Sequence, residues 1–341
     1  MKLPISPEID VMIITKDHDG NVLDKIVKNN AVAPNWTKRF LAYLIDSVIP
    51  QGSKTNADHI IANEIRVSSS QSLAIPDHVR SLDTEPSNIP PRDSTAVNYK
   101  AASDLTHTYD SRNHSVDISA TFEQGEGNFV WNTLMLISKG GNAGKLIAGL
   151  SDGRATAIKT KDSTETRTII WRIRLGRSIT KPSPHADLVE HESQATEGVS
   201  EAWLENVLKF ISGAETIGSS VFQVTHIGVG NGLAEPAGDD DKATLGSSQS
   251  LEPIKFVNIT WTNNTYTEMY AQFNATFTAN NVMFQWNSYA IFAGNVLVAR
   301  MKDDSPHISN IAGSGITEVL TSTSIPKVTI NMYCNPVSAL E

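Results

Sequence analysis

Only one cysteine, Cys334, occurs in 341 residues. That excludes an intrachain disulfide and any zinc site built on several thiolates. No apolar run approaches the roughly 20 residues that a membrane-spanning helix needs, so no membrane partner is expected. Positive charge is in deficit: 28 Lys and Arg against 37 Asp and Glu leave a net charge of −9. No basic block or basic-aromatic stripe offsets it, so nucleic-acid binding is not expected either. Residues Met1 to Glu8 lack the apolar core of a secretory signal, which leads to the expectation of synthesis in a cytosol. None of the nine histidines pairs at i, i+4 with a Glu partner in the manner of a zinc site. No serine nucleophile elbow occurs, and Cys334 has no evident His partner. The expectation is a non-catalytic chain with no cofactor and no metal.

What is present is a stretch written twice. Ala120-Thr121-Phe122, six residues, then Phe129-Val130-Trp131-Asn132 returns 155 positions later as Ala275-Thr276-Phe277, six residues, then Phe284-Gln285-Trp286-Asn287. Alternating runs precede each copy, over 116–120 and 270–275. Apolar runs follow each, over 134–137 with 146–148 and over 289–292 with 297–299. Short period-two runs separated by polar breaks read as strands. Phe122, Phe129, Trp131, Phe277, Phe284 and Trp286 are the expected core of the repeat, with each Trp at the same step of a duplicated hairpin.

The flanking sequence fits the same unit. Asp17-His18-Asp19-Gly20 divides two apolar runs, a hairpin signal, because Gly accepts the positive φ of the turn. Apolar residues at 36, 40, 41, 44 and 45 predict a helix with Asn35 as N-cap. Those at 203, 204, 207, 208 and 211, ending at Gly213, predict a second. The alternating runs 168–175 and 327–333 predict a closing strand for each unit. The expected class is mainly β with minor α: two tandem homologous β-sandwich-like domains, each with an N-terminal helix packed on its sheet and each around its own core. Residues 1–176 form the first unit and 198–341 the second. Residues 177–197, with two prolines and no periodicity, read as the linker.

Several stretches imitate sites. Gly140-Gly141-Asn142-Ala143-Gly144-Lys145 resembles a phosphate loop, but Leu146 stands where a Ser or Thr is needed and a strand follows; a hairpin turn is the reading. Gly228-Val229-Gly230-Asn231-Gly232 resembles a dinucleotide fingerprint, but loop follows instead of a helix, so a β-turn is expected. Asp239-Asp240-Asp241 reads as a solvated loop. His107 and His114, flanking Tyr109 and Asp110, read as polar loop residues.

The order within each unit then acquires a meaning. A Trp-bearing helix, a short strand leading through His226-Ile227 to the Gly228-Val229-Gly230 turn, a polar loop, Ala275-Thr276-Phe277, Phe284-Gln285-Trp286-Asn287 and Leu297-Val298-Ala299-Arg300 together resemble the β-rich module of tailed-bacteriophage tail, collar and baseplate proteins. The first unit departs from this: where the second has His226 to Gly230, it has Ile60 to Glu64, with no Gly-x-Gly. The resemblance implies a structural virion component, joined to copies of itself and to other virion proteins, with no catalytic residues. The alternative is a receptor- or carbohydrate-binding tail-fibre adhesin. A ligand patch for a host surface glycan would then comprise Asn263, Asn264, Tyr266 and Tyr270, since apolar sugar faces stack on rings.

Overall fold

A computed structural model of the chain describes residues 2–4, 6–30, 32–46, 49–50, 56–70, 89–111, 113–138, 144–151, 160–176, 198–215, 217–231, 245–261, 269–277, 288–302 and 327–333. These residues are mainly β, with four sheets and two α-helices among them. In the first half β2 (Ser6–Lys16) and β3 (Val22–Asn30) form the expected hairpin. Gly20 takes φ 84°, and the Asp17 carboxylate accepts the amides of Asp19 and Asn21 at 2.9 and 2.8 Å. The hairpin continues through β10 (Thr166–Gly176) and β7 (Ser115–Phe122) to β6 (Thr106–Asp110), in the order β3-β2-β10-β7-β6. The second sheet runs β5 (Val97–Ala101), β4 (Glu64–Ser68), β8 (Thr133–Ile137), β9 (Leu146–Ser151).

The second half also carries two sheets. One runs β11 (Gly198–Val199), β17 (Val296–Lys302), β16 (Ser288–Ala293), β12 (His226–Gly230), β13 (Gln249–Pro253). The other runs β1 (Lys2–Pro4), β18 (Lys327–Tyr333), β15 (Met269–Thr276), β14 (Lys255–Trp261). Among the described residues every strand pairing is antiparallel except that of β1 with β18, which carries residues 2–4 into the second half's sheet.

Helix α1 (Pro34–Leu44) and helix α2 (Glu201–Ser212) carry the expected apolar stripes but end differently. Ser200 caps α2 by accepting the Trp203 amide, and Gly213 closes it in the left-handed region at φ 76°. Asn35 does not cap α1: the N-cap is Ala33, with no side-chain bond. Pro34 follows at the first helical position, where its missing N–H leaves one fewer donor to satisfy. The entry is instead fixed by the Ala33 amide donating to the Ile147 carbonyl at 2.7 Å.

The expectation that each helix packs on its own unit's sheet needs correction. Helix α1 lies against β14 and β15 of the second half, and α2 lies against β7 and β10 of the first as well as β17. Helix ends cross too. Val224 donates to Leu44 O and Ala62 donates to Ile211 O, both at 2.7 Å, so a last-turn carbonyl of each helix is satisfied by the opposite half. One contiguous apolar cluster extends from Ile9 through both helices to Ala299, replacing two separate cores. The reason is area: an amphipathic helix buries most against a complete sheet face, and each half offers its face to the other's helix.

Two local readings are also corrected. Gly228-Val229-Gly230 is not a turn but part of β12, paired on both sides with β13 and β16. Its glycines serve close approach, since a Cβ at either position would collide with Leu245. In the first half Glu64–Ser68 form β4 beside β8, so of Ile60 to Glu64 only Glu64 lies in that strand. The Phe122-to-Trp131 step is no hairpin either, because β7 and β8 belong to different sheets. It is a crossing braced by an edge-on ring contact, 5.2 Å between the Phe122 and Trp131 centroids.

Candidate functional site

Inner faces of the sheets are spent on the core, so an interaction surface has to come from edges and outer faces. Strand β3 is the edge of its five-stranded sheet and is nine residues long. Val22, Leu23 and Val27 are 60, 56 and 53% exposed on it, far above the level of an apolar residue with a packing partner. Across the register Val27 stands beside Met12, Met12 beside Ile170, and Lys25 beside Ile14. Met12, Ile14 and Ile170 are half-buried, so an apolar stripe runs inward from the open edge over the outer face.

The stripe is bounded by an ion ladder on the same face. Arg172 donates Nε and Nη2 to the two Asp117 oxygens at 2.6 and 2.7 Å. That bond holds the guanidinium above its usual range. Arg174 Nη1 lies 2.6 Å from Asp10 Oδ2. These partly exposed pairs orient polar groups around the stripe; as partly exposed surface pairs they add little stability.

The side chains singled out in the sequence fall in different places. Phe122, Trp131 and Phe277 are fully buried, and Phe129 is packed against the same core. Trp131 Nε1 donates to Gly127 O at 2.8 Å, and the Arg167 guanidinium lies 5.0 Å from its ring centre. Phe284 and Trp286 lie outside the described residues, as do Asn263, Asn264, Tyr266, Asp239 to Asp241, Cys334 and the linker 177–197. Tyr270 is half-buried in β15, opposite Thr260 and Tyr333. On either side of 139–143, outside the described residues, Ser138 donates to Lys145 O at 2.8 Å, as a β8–β9 hairpin requires.

His107 and His114 meet opposite ends of α2 rather than each other. His107, on β6, hydrogen-bonds the backbone of Ser212 at the helix C-terminus, and burial lowers its pKa. Its Nε2 is buried without a partner. His114 takes φ 44° and sets Nε2 3.9 Å from the Glu201 carboxylate at the helix start. Between them Tyr109 is pushed up to about 12, first by burial and then by Glu205. These residues belong to the seam between the halves.

A buried ion cluster escaped the sequence reading. Glu64 and Arg66, both fully buried on β4, are joined Oε1 to Nε, and Arg66 Nη1 donates to Pro90 O. Arg92 Nε reaches Glu64 Oε2 at 2.7 Å, with its guanidinium 4.3 Å from the Tyr99 ring centre. The only available signal was Glu-x-Arg in a strand, one face of a period-two pattern, facing a loop that brings Arg92. Among the described residues no group of three or more His, Cys, Asp or Glu is placed to hold a metal ion. No described helix is long and apolar enough to cross a membrane. The surface therefore belongs to a mainly β protein with an exposed apolar sheet edge. No family model, curated protein or solved structure matches the chain.

Proposed function

We propose that the chain is a tandem duplication of one β unit and a non-catalytic structural component of a phage virion, in the tail, neck or baseplate. It joins other virion proteins as a repeated subunit. Supporting the duplication, order β5-β4-β8-β9 matches β13-β12-β16-β17, and β10-β7-β6 matches β18-β15-β14. Trp36 Nε1 donates to Ile60 O and Trp203 Nε1 to Phe222 O, both at 2.9 Å, at equivalent points of the two orders.

The observation that carries the assembly role is the open β3 edge with Val22, Leu23 and Val27 exposed on it. Sheet edges offer unpaired main-chain donors and acceptors, and an apolar edge is a docking surface for another chain. Mass spectrometry of purified virions should find the protein at a fixed copy number that is a multiple of three, six or twelve. Absence from virions, with abundance in infected cells, would overturn the reading.

A further inference from the structure

We infer that two copies of the chain pair antiparallel through β3, with Ile26 opposite Ile26 of the second copy, joining two five-stranded sheets into one of ten strands. The inference rests on the reading of the chain as an assembly subunit and names the surface and the partner.

The register follows from charge and from the direction of the amides. The Lys25 amide is taken by the neighbouring Asp24 carboxylate at 2.9 Å, which places it on the open side of the strand. In an extended strand the main-chain groups of Val27 and Asn29 point the same way as those of Lys25, while Leu23 lies at the register shift that ends the regular ladder. An incoming antiparallel strand must therefore set odd-numbered residues against odd-numbered ones. Centring the pair on Lys25 opposes two lysines, and centring it on Asp24 opposes two aspartates, both unfavourable. Centring it on Val27 opposes Ile26 to Lys28 and forms no ion pair, whereas centring it on Ile26 opposes Asp24 to Lys28 twice and Lys25 to Val27 twice. The lysine stem then covers Val27, which is 53% exposed in the single chain. The Asp24 carboxylate, which also acts on the Arg167 guanidinium, exchanges its local amide for an ammonium group, and the Lys25 amide so released enters the new ladder. The stripe of Met12, Ile14 and Ile170 becomes continuous across the two-fold axis.

The test uses the full chain in a Cys334→Ser background, which removes the one native thiol. Ile26→Cys places two thiols at a directly opposed pair about 4.5 Å apart at Cα, within reach of a disulfide. It should give a cross-linked dimer under mild oxidation, whereas Lys25→Cys should not. Asp24→Lys alone and Lys28→Asp alone should each weaken dimerisation in sedimentation on the order of tenfold, by opposing like charges twice. The double exchange should restore it. Val27→Pro, which removes only an outward amide, should give a folded monomer by circular dichroism and sedimentation. A wild-type chain that stays monomeric throughout, equal cross-linking at Ile26 and Lys25, or a dimer unmoved by the charge exchanges would overturn the pairing. Val27→Pro protein incorporated normally into virions would also defeat the pairing, while leaving the structural-subunit reading intact. Absence of wild-type protein from virions defeats that reading instead, whatever the solution dimer shows.

Discussion

The two halves solve one packing problem with different chemistry. On β4 the face turned from the core carries Glu64, Arg66 and Ser68, and the residues 90–92 lie over it through ion pairs and the Pro90 carbonyl. On β12 the same face carries His226, Gly228 and Gly230, and Leu245 lies directly on the backbone. Leu251, Ala290, Phe292 and Leu297 complete an apolar cover there. A buried ion cluster demands fixed partners, whereas a glycine strand demands only shape. The strand orders agree while the covers differ. Backbone pairing order and the helix seam are common to both halves, and the outer cover is where they differ.

The strongest way to break the comparison is at the tryptophans. Trp36→Ala and Trp203→Ala should each destabilise by about 3–5 kcal/mol, as for truncation of a large core aromatic. The two values should agree within about 1 kcal/mol of each other by chemical denaturation, given the spread of such measurements. One strongly destabilising and one neutral outcome would show that the matching bonds to Ile60 and Phe222 do not mark equivalent sites.

The covers should then separate the halves. Gly230→Ala should cost about 1–3 kcal/mol through overpacking against the Leu245 backbone. Ser68→Ala, at the matching position of β4, should cost only about 0.5–1.5 kcal/mol, for the bond that its hydroxyl accepts from the Ser70 amide. Thermal melts of both variants check the ranking. Equal effects would mean the Leu245 contact is not the reason for the glycine.

Caps give a smaller contrast. Ser200→Ala should lose about 1 kcal/mol, within the range for removing a side-chain cap. Ala33→Ser should gain no more than about that amount, because its helix already has a proline start and a strand-anchored entry. Denaturant midpoints would decide between these directions.

Near neutral pH the titrating groups have the least effect, and theirs emerges only towards the two ends of the range. His107 is held neutral by burial, so its folded pKa lies below the unfolded value of 6.5. The unfolded chain therefore binds the proton first. Stability is full above about 6.5 and falls as the pH drops from there towards the folded value. Tyr109 does the reverse at the alkaline end: raised to about 12, it loses stability as pH rises from about 10 to 12. His107→Gln should flatten the acid side of the stability curve and leave the alkaline side unchanged.

Local pattern carried much of this structure. Strand β18 was read at its observed bounds, Lys327–Tyr333, and the Asp17–Gly20 hairpin and Gly213 stop followed from alternation and turn chemistry. What failed was non-local. Gly-x-Gly reads as a turn by composition, yet β12 is a strand paired on both sides, whose glycines admit Leu245 against the backbone. Nothing in the periodicity of α1 says that its apolar face meets β14 and β15, some two hundred residues away. The same limit applies to the candidate surface. The alternation around Val22 to Val27 predicts a hairpin arm, but edge status depends on strand order, set by pairing of β2 with β10 far along the chain. Asp24, Lys25 and Lys28 are legible as residues and acquire a role only once that edge is known.

The central structural claim is that the halves share one core through exchanged helix contacts, with Tyr43, Phe210 and Phe222 stacked at the seam and Gln223 Nε2 donating to Tyr43 O at 2.8 Å. The direct measurement is to insert a specific protease site between Gly176 and Gly198, cleave the chain, and weigh the product by native mass spectrometry. The account predicts that the two fragments stay together in equal numbers, at the mass of one intact chain or of its pair, and separate only on denaturation. Two independently folded fragments, each monomeric and each with native-like secondary structure, would contradict it.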